Sequence, residues 1–412
     1  MYKLLTTLLL SWVLSPTASA QDSWRFSGFA SLAAGRLDHS GLTYSNYDNE
    51  KWRFDGDTVL GLQLSGNLAE RLTLTMQAVS RAHSFDDQEP FEPQLDWLFL
   101  AYQLNANWRL RAGRLRTPHY LYSETLDVGY SYVWARPPID VHANVLAPFS
   151  NFDGADITYL MDYNETSIDL QFLAGTMRRS LDAIKIEVKP VVGGNIKIQN
   201  GPYTLRYSLL YDQSDIRLNG PRPSDPAFRQ LAASNAQLGF ILDSLESEDA
   251  WYRYQSLGLR WEQDEYAVLG EVFDIKNTDE GYSNDAHGWY ISAQKRFGDL
   301  TPYLVRGGFT NELNKEAFQV LKSTYATIPP GIPGLQVLDR VRDRVGRYLQ
   351  LSNYRQNTWT FGVRWDFYSD LALKAEWQRL DFSDGTSGQI LPTNEAPPSH
   401  TVLTTISLDW VF

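Results

Sequence analysis

The stretch HTVLTTISLDWVF, residues His400 to Phe412, decides the fold class. Val402, Thr404, Ile406, Leu408, Trp410 and Phe412 fall on one face of an extended chain, and Leu403, Thr405, Ser407, Asp409 and Val411 on the other. Side chains alternate across a strand, so one face is apolar and the other mostly polar. The last residues of a soluble domain are usually polar and frayed. An ending on Trp-Val-Phe fits a strand that closes a sheet with its aromatic end at a membrane interface. The competing reading is the terminal strand of a soluble sandwich.

The other end of the chain points the same way. Lys3 is followed by an apolar run from Leu4 to Leu14, then Pro16 and the small-x-small site Ala18-Ser19-Ala20. This is the pattern of a secretory signal peptide over residues 1–20, leaving 21–412 as one β domain. The run is too short for a membrane-spanning helix, which needs roughly 20 apolar residues. The longest later apolar patch is only about Trp97 to Tyr102.

There are no cysteines, so neither a disulfide framework nor a thiol nucleophile is available. A closed hydrogen-bonded barrel would hold an exported chain together without them. The mean hydropathy of −0.36 excludes a helical membrane bundle but not a barrel, where only alternate residues meet lipid. The net charge of −12 argues against nucleic acid as a partner. The 19 Phe, 13 Trp and 23 Tyr are the stock that interfacial girdles require.

Along the chain the pattern repeats: about ten alternating residues, then a connection, alternately short and long. Strands are expected at about 24–37, 58–68, 72–78, 95–104, 108–113, 152–161, 168–174 and 184–199. They continue at 203–212, 256–262, 265–275, 289–297, 301–309, 358–367, 371–378 and 400–412. Tight turns lie around Ala69-Glu70-Arg71, Asn105-Ala106-Asn107, Tyr163-Asn164-Glu165, Asn200-Gly201, Gln263-Asp264, Gly298-Asp299 and Ser369-Asp370. Pro190 with Gly193-Gly194 marks a bulge in strand eight. A short loop is expected at Met177 to Ala183, and long ones at Gln213 to Ala250 and Thr310 to Gln356. The reading is all-β: a transmembrane antiparallel β-barrel of about 16 strands, short turns on one rim and long loops on the other.

A barrel this wide cannot be filled by its own side chains and encloses water. The faces opposite the apolar ones carry Arg109, Arg111, Arg206, Arg260, Arg296, Arg306, Arg364 and Lys374, read as a basic wall. They also carry the acids Asp156, Asp212, Glu262, Glu271, Asp366 and Glu376. Charges of both signs inside a barrel either filter solutes by a transverse field or simply pair in a solvated lumen. The connection from Arg116 to Asn151 is aromatic and apolar, unlike an exposed loop. Folded inward, it would narrow the pore and bring Glu124, Asp127, Arg136 and Asp140 opposite the wall. A subunit contact or a lid is the alternative.

Gly113-Arg114-Leu115-Arg116-Thr117-Pro118, Asp127-Val128-Gly129-Tyr130, Arg136-Pro137-Pro138 and Phe152-Asp153-Gly154-Ala155 resemble the third-loop region of Gram-negative outer-membrane porins. The signal peptide, strand rhythm and C-terminal Phe412 extend that resemblance over the mature chain. It implies a trimeric sixteen-stranded diffusion channel with an inward-folded third loop, among outer-membrane lipids and lipopolysaccharide. Pro137-Pro138 and the few acids at the loop tip depart from the general porins, so individual constriction residues are not carried over. Gly28, Ala30 and Ala34, small and outward on strand one, are read as a subunit contact, or as a fit to a tilted strand end.

The expected function is passive diffusion of small hydrophilic solutes and ions, with a channel selective for anions, organic acids or sugars as the alternative. Tyr120, Tyr122, Tyr130, Tyr132 and Trp134 fit a sugar track or a packing core equally. An enzyme on the barrel needs a nucleophile and base on adjacent strands facing one way. The six His fall in loops or at strand ends, and no Gly-x-Ser-x-Gly occurs. An energy-coupled receptor needs a plug domain, for which no room is expected ahead of strand one. No metal-binding spacing and no cofactor motif is found.

Overall fold

The computed structural model describes residues 24–44, 46–82, 89–142, 149–181, 184–218, 247–278, 284–313, 353–383 and 398–412, with isolated positions at 233, 323, 388 and 391–392. The expected signal peptide and most of the long loops lie outside the described residues.

Sixteen antiparallel strands close into one barrel. They are β1 (Trp24–Leu37), β2 (Val59–Ala69), β3 (Leu72–Arg81), β4 (Gln94–Gln103), β5 (Trp108–Arg116), β6 (Asn151–Tyr163), β7 (Thr166–Leu181) and β8 (Ile184–Asn200). The second half is β9 (Tyr203–Leu218), β10 (Ser247–Gln263), β11 (Tyr266–Asn277), β12 (Asn284–Lys295), β13 (Leu300–Leu313), β14 (Asn353–Tyr368), β15 (Leu371–Phe382) and β16 (His400–Val411). Each pairs with its sequence neighbours, and β16 returns to β1 from Phe29↔Val411 to Leu37↔Leu403. Seven connections on one rim are two to four residues long. Outside the barrel sheet, Leu42–Thr43 pairs with Leu391–Pro392.

Phe412 completes the closure. Its carbonyl accepts from Gly28 N at 2.8 Å and its N–H donates to Gly28 O at 3.0 Å. A Cβ at Gly28 would stand 2.3 Å from the Phe412 ring. Gly28, expected at a subunit contact, is therefore filled from within the same chain.

Burial shows which face meets what. On β16, Thr401, Leu403, Thr405, Ser407 and Asp409 are buried while Ile406 and Trp410 are exposed. Leu60, Leu62 and Leu64 on β2, Leu257 and Leu259 on β10, and Phe361, Val363 and Trp365 on β14 are likewise exposed. Buried polar and exposed apolar is the inverse of a soluble barrel, and it is the arrangement a lipid surround requires.

Several strands run further than their alternation shows. Met177 to Leu181 belongs to β7 rather than a loop, β9 reaches Leu218, β10 starts at Ser247, and β13 and β14 extend to Leu313 and from Asn353. Paired backbone carries a strand past the point where its side chains stop alternating. The irregularity in β8 is a bulge, with register shifting between Val191 and Val188 against both neighbours. A second bulge went unseen: Gln77 pairs with Trp97 but Ala78 with Leu95, so Asp96 is the extra residue.

Candidate functional site

The connection after β5 carries two short 3-10 turns, Ser123–Thr125 and Gly129–Ser131. Its aromatic residues Tyr120, Tyr132 and Trp134 are buried in one cluster with Tyr254, Phe273, Tyr290, Tyr303 and Phe309. Those partners lie on the buried faces of β10 to β13. Apolar surface at that face, opposite the exposed one, has a place only because this connection covers it.

Polar contacts tie residues 118–142 to the wall strand by strand. Ser208 Oγ donates to Pro118 O at 2.6 Å, and Tyr254 and Ser256 both donate to His119 O. Leu121 N donates to Glu271 Oε2 at 2.7 Å, and Tyr290 O–H holds the other oxygen at 2.6 Å. Trp134 Nε1 donates to Ser292 Oγ at 3.0 Å. A Cβ at Gly258 would meet Leu121 at 2.5 Å, and one at Gly288 would meet Asp140 O at 2.0 Å. At Gly288 the covering backbone leaves no room for a side chain, and at Gly258 the Leu121 side chain fills the space.

Lys374 is fully buried, and its three ammonium hydrogens have three acceptors. They are Gly129 O and Trp134 O at 2.7 Å each and Asp409 Oδ2 at 2.9 Å. Arg364 donates to Tyr130 O at 2.7 Å and Tyr132 O at 2.9 Å, and pairs with Asp366 on its own strand. Glu376 accepts from Ala135 N and from Tyr303 O–H. Arg136 reaches Asp57 at 2.7 Å, Glu376 and Thr405. Asp140 accepts from Gln356 at 3.0 Å and Thr358 at 2.8 Å. Asp127 binds Arg81 and Arg116, which also share the bulged Asp96. The bulge turns Asp96 toward them.

Of the four connection residues expected across from the basic wall, Glu124 meets it: Arg206 donates to both its oxygens at 2.8 Å. Asp127 and Asp140 bind other strands, and Arg136 pairs with acids. Burial would raise the Glu124 carboxyl, but the Arg206 charge and its two hydrogen bonds hold it down at about 2. Burial pushes Asp140 up to about 6 against its bonds from Gln356 and Thr358. Burial lowers His119 to about 3 and His142 to about 4, so both are neutral.

The remaining wall residues divide. Arg109 and Arg111 on β5, Arg206 on β9 and Arg260 on β10 share the polar face. Arg111 pairs with Asp156 at 2.6 Å, Gln171 also donates to Asp156, and Arg260 pairs with Glu262 two residues on. Half-buried Asp212 accepts from Ser214 at 2.5 Å. Lys197 was missed; it stands opposite both Arg206 and Asp169, hence on the same face. Its signal was present, since Asn195, Lys197 and Gln199 alternate with Ile196 and Ile198.

Two expected wall residues are corrected. Arg296 lies beyond the end of β12 in a tight turn, exposed, donating to Asp264 O. Arg306 has the parity of Pro302 and Leu304, so it is on the exposed outer face, with its guanidinium 4.9 Å from the Trp359 ring. Charge alone had placed it inward; the buried face of β13 is instead Thr301, Tyr303, Val305, Gly307 and Phe309.

No protein-family model matches the sequence, and no curated protein matches it. Solved structures do resemble the fold. The outer-membrane channel DcaP of Acinetobacter baumannii superposes with a TM-score of 0.56 at 10% identity, over 94% of this chain and 97% of that one. An anion-selective porin from Comamonas acidovorans gives 0.54 at 12%, over 95% and 99%. OmpT of Vibrio cholerae gives 0.53 at 9%, over 96% and 99%. The chain therefore has the closed-barrel fold of outer-membrane porins.

Proposed function

We propose that the chain is an outer-membrane channel through which small hydrophilic solutes and ions diffuse passively, with a bias toward anions. In this reading residues 117–142 lie folded into the barrel against β9 to β16, β1 and β3. Water passes on the other side, along β5 to β10. The observation that carries the anion bias is the pair Arg109 and Lys197. Both are on the inner face, and neither makes a salt bridge to a described residue. Of the acids nearby, Asp156 is engaged by Arg111, Glu124 by Arg206 and Glu262 by Arg260, which leaves Asp169, opposite Lys197, as the acid facing these two cations. Fixed cations in a narrow aqueous passage raise the local concentration of anions. That one structural neighbour is described as an anion-selective porin agrees with this bias.

The same reading makes the protein a homotrimer in contact with lipid and lipopolysaccharide. Phe26, Leu32, Leu60, Leu62 and Leu64 form an exposed apolar surface across β1 and β2, interrupted by the small Ala30 and Ala34. A flat surface of this kind permits close packing with a second barrel. Ala30→Trp is expected to weaken the trimer on a native gel, and an unchanged trimer would count against this contact.

Purified protein in a planar bilayer under a salt gradient tests the function. Stepwise conductance in threes with a reversal potential favouring chloride is the expected result. Cation preference would overturn the bias, and folded protein without conductance would overturn the channel.

A further inference from the structure

β4 is apolar on both faces, and contact with lipid accounts for only one of them. Leu98, Leu100 and Tyr102 are exposed on the outer side. Trp97, Phe99 and Ala101 have the opposite parity, so they face inward, and each is half-buried. The inward aromatics Tyr254, Phe273 and Tyr290 of β10 to β12 are fully covered, in one cluster with the connection after β5. Those of β4 stay half-open. What stands over them is charge: the Arg116 guanidinium lies 6.0 Å from the Trp97 ring, and that of Arg111 lies 5.4 Å from the Phe99 ring.

The connection leaves an edge of the same kind. Tyr122 and Leu126, only partly buried, flank its buried cluster together with Phe99. The Tyr122 ring packs edge-on against Tyr132 and Trp134. Phe99, Leu126 and Tyr122 thus form an apolar strip inside the barrel. Such a strip is unfavourable in water, and chloride gains nothing from it.

The strip runs beside the open cations. Arg111 stands opposite Ala101 and Arg109 opposite Gln103, one and two inward steps from the Phe99 row. Arg111 is committed to Asp156. Lys197 has Asp169 directly across from it. Arg109 has only Gln103 and Thr158 as its paired neighbours, and neither carries a charge. Ala101, with a single methyl, leaves space between Phe99 and Gln103. Two inward steps are about 13 Å along the strand, a span that an arginine side chain and one ring with its carboxylate can bridge.

We infer that the passage holds a binding point for carboxylates that carry an aromatic ring, with the carboxylate on Arg109 and the ring on Phe99. This deepens the anion bias of the proposed function and rests on it. The guanidinium forks onto two carboxylate oxygens. The Phe99 ring takes the solute ring in an offset or edge contact. A small inorganic anion uses only the first of these, and an aromatic cation only the second.

Chloride current through the purified protein in a planar bilayer would be titrated with benzoate, acetate and benzylammonium. Benzoate should reduce the current at roughly three- to tenfold lower concentration than acetate, the preference that one aromatic pair supplies. Benzylammonium should not reduce it in that range. Phe99→Leu keeps an apolar side chain in place and should bring the benzoate-to-acetate ratio close to one. Arg109→Gln should weaken both anions and keep the ratio. Equal block by benzoate and acetate in the wild type overturns the site, as does block by benzylammonium as strong as by benzoate. That comparison needs no variant to fold. A ratio unchanged in Phe99→Leu removes the ring contact from the site. Chloride conductance without a benzoate preference sinks this inference alone, whereas folded protein without conductance sinks the channel and the site with it.

Discussion

Lys374 on β15 and Arg260 on β10 look alike in the sequence. Each is a cation on the polar face of an alternating strand. Lys374 is fully buried and holds Gly129, Trp134 and Asp409. The Arg260 side chain keeps 36% of its exposure, and its salt-bridge partner among the described residues is Glu262, on its own strand. The same contrast runs around the barrel. From β11 to β16 the inner polar groups fasten the connection after β5: Glu271, Ser292, Thr358, Arg364, Lys374 and Glu376 all bind it. From β5 to β10 the inner charges mostly pair with each other or stand open. Polar groups inside a wide barrel thus have two uses, as buried clamps or as a wetted wall. A clamp group is costly to lose because its partner is left buried and unpaired. A wetted charge is cheap to lose for stability, and its removal changes the field instead.

The largest expected break in this contrast is at Lys374. Lys374→Met leaves the Asp409 carboxylate buried with hydroxyl donors from Ser31 and Ser407 but no counter-charge, and takes the ammonium from two carbonyls, and should cost about 3–5 kcal/mol. Urea unfolding in detergent would show it. The double variant Lys374→Met with Asp409→Leu should recover much of the loss, since an apolar pair carries no stranded charge. Recovery of nothing would mean that the carbonyl contacts dominate.

Next comes Gly258→Leu, which drives a side chain into Leu121. Overpacking of this kind costs about 1–3 kcal/mol. Displacement of the connection should appear as a changed single-channel conductance, and wild-type conductance would mean that the segment does not bound the passage.

On the wetted side the effect moves from stability to selectivity. Arg109→Glu with Lys197→Glu should change the unfolding free energy by no more than about 0.5 kcal/mol and swing the reversal potential toward cations. A large loss of stability with unchanged selectivity would invert the contrast.

The smallest effect is with pH. Glu124 is held near 2, below the ordinary carboxylate value of about 4.3. Its link to Arg206 therefore contributes above pH 4 and is lost as pH falls through about 2. Asp140 is raised to about 6, so its cost of ionisation grows between about pH 4 and 6 and is relieved by acid. Conductance should stay flat from pH 7 to 4 and change below 3. Glu124→Gln should remove that change and leave the mild stabilisation between pH 6 and 4.

The strand rhythm was legible because an alternating strand writes its two environments into every second residue. Strand fourteen shows it plainly: Trp359, Phe361, Val363 and Trp365 outward, Thr358, Thr360 and Arg364 inward. The aromatic connection was legible as a packed segment for the same reason: its composition demands cover. Arg306 was misread because β13 offers Thr301, Tyr303 and Val305 on one side and Pro302, Leu304 and Arg306 on the other, and neither set is cleanly polar. Charge is a poor guide to facing where the outer row lies at the edge of the apolar band.

What the sequence by itself determined is the closed barrel, the strand order and the faces of most strands. These follow from a period of two that each segment carries locally. Which inner charges are clamps and which are wall was decided only in three dimensions. Asp127 meets Arg81, Lys374 meets Trp134, and Arg136 meets Asp57 across distances that no local pattern records. Asp96 turns toward its cations through a bulge that a strand apolar on both faces could not announce. A polar side chain is written the same way whether water or a carbonyl will meet it, and the packing of the connection after β5 against the strands makes that choice.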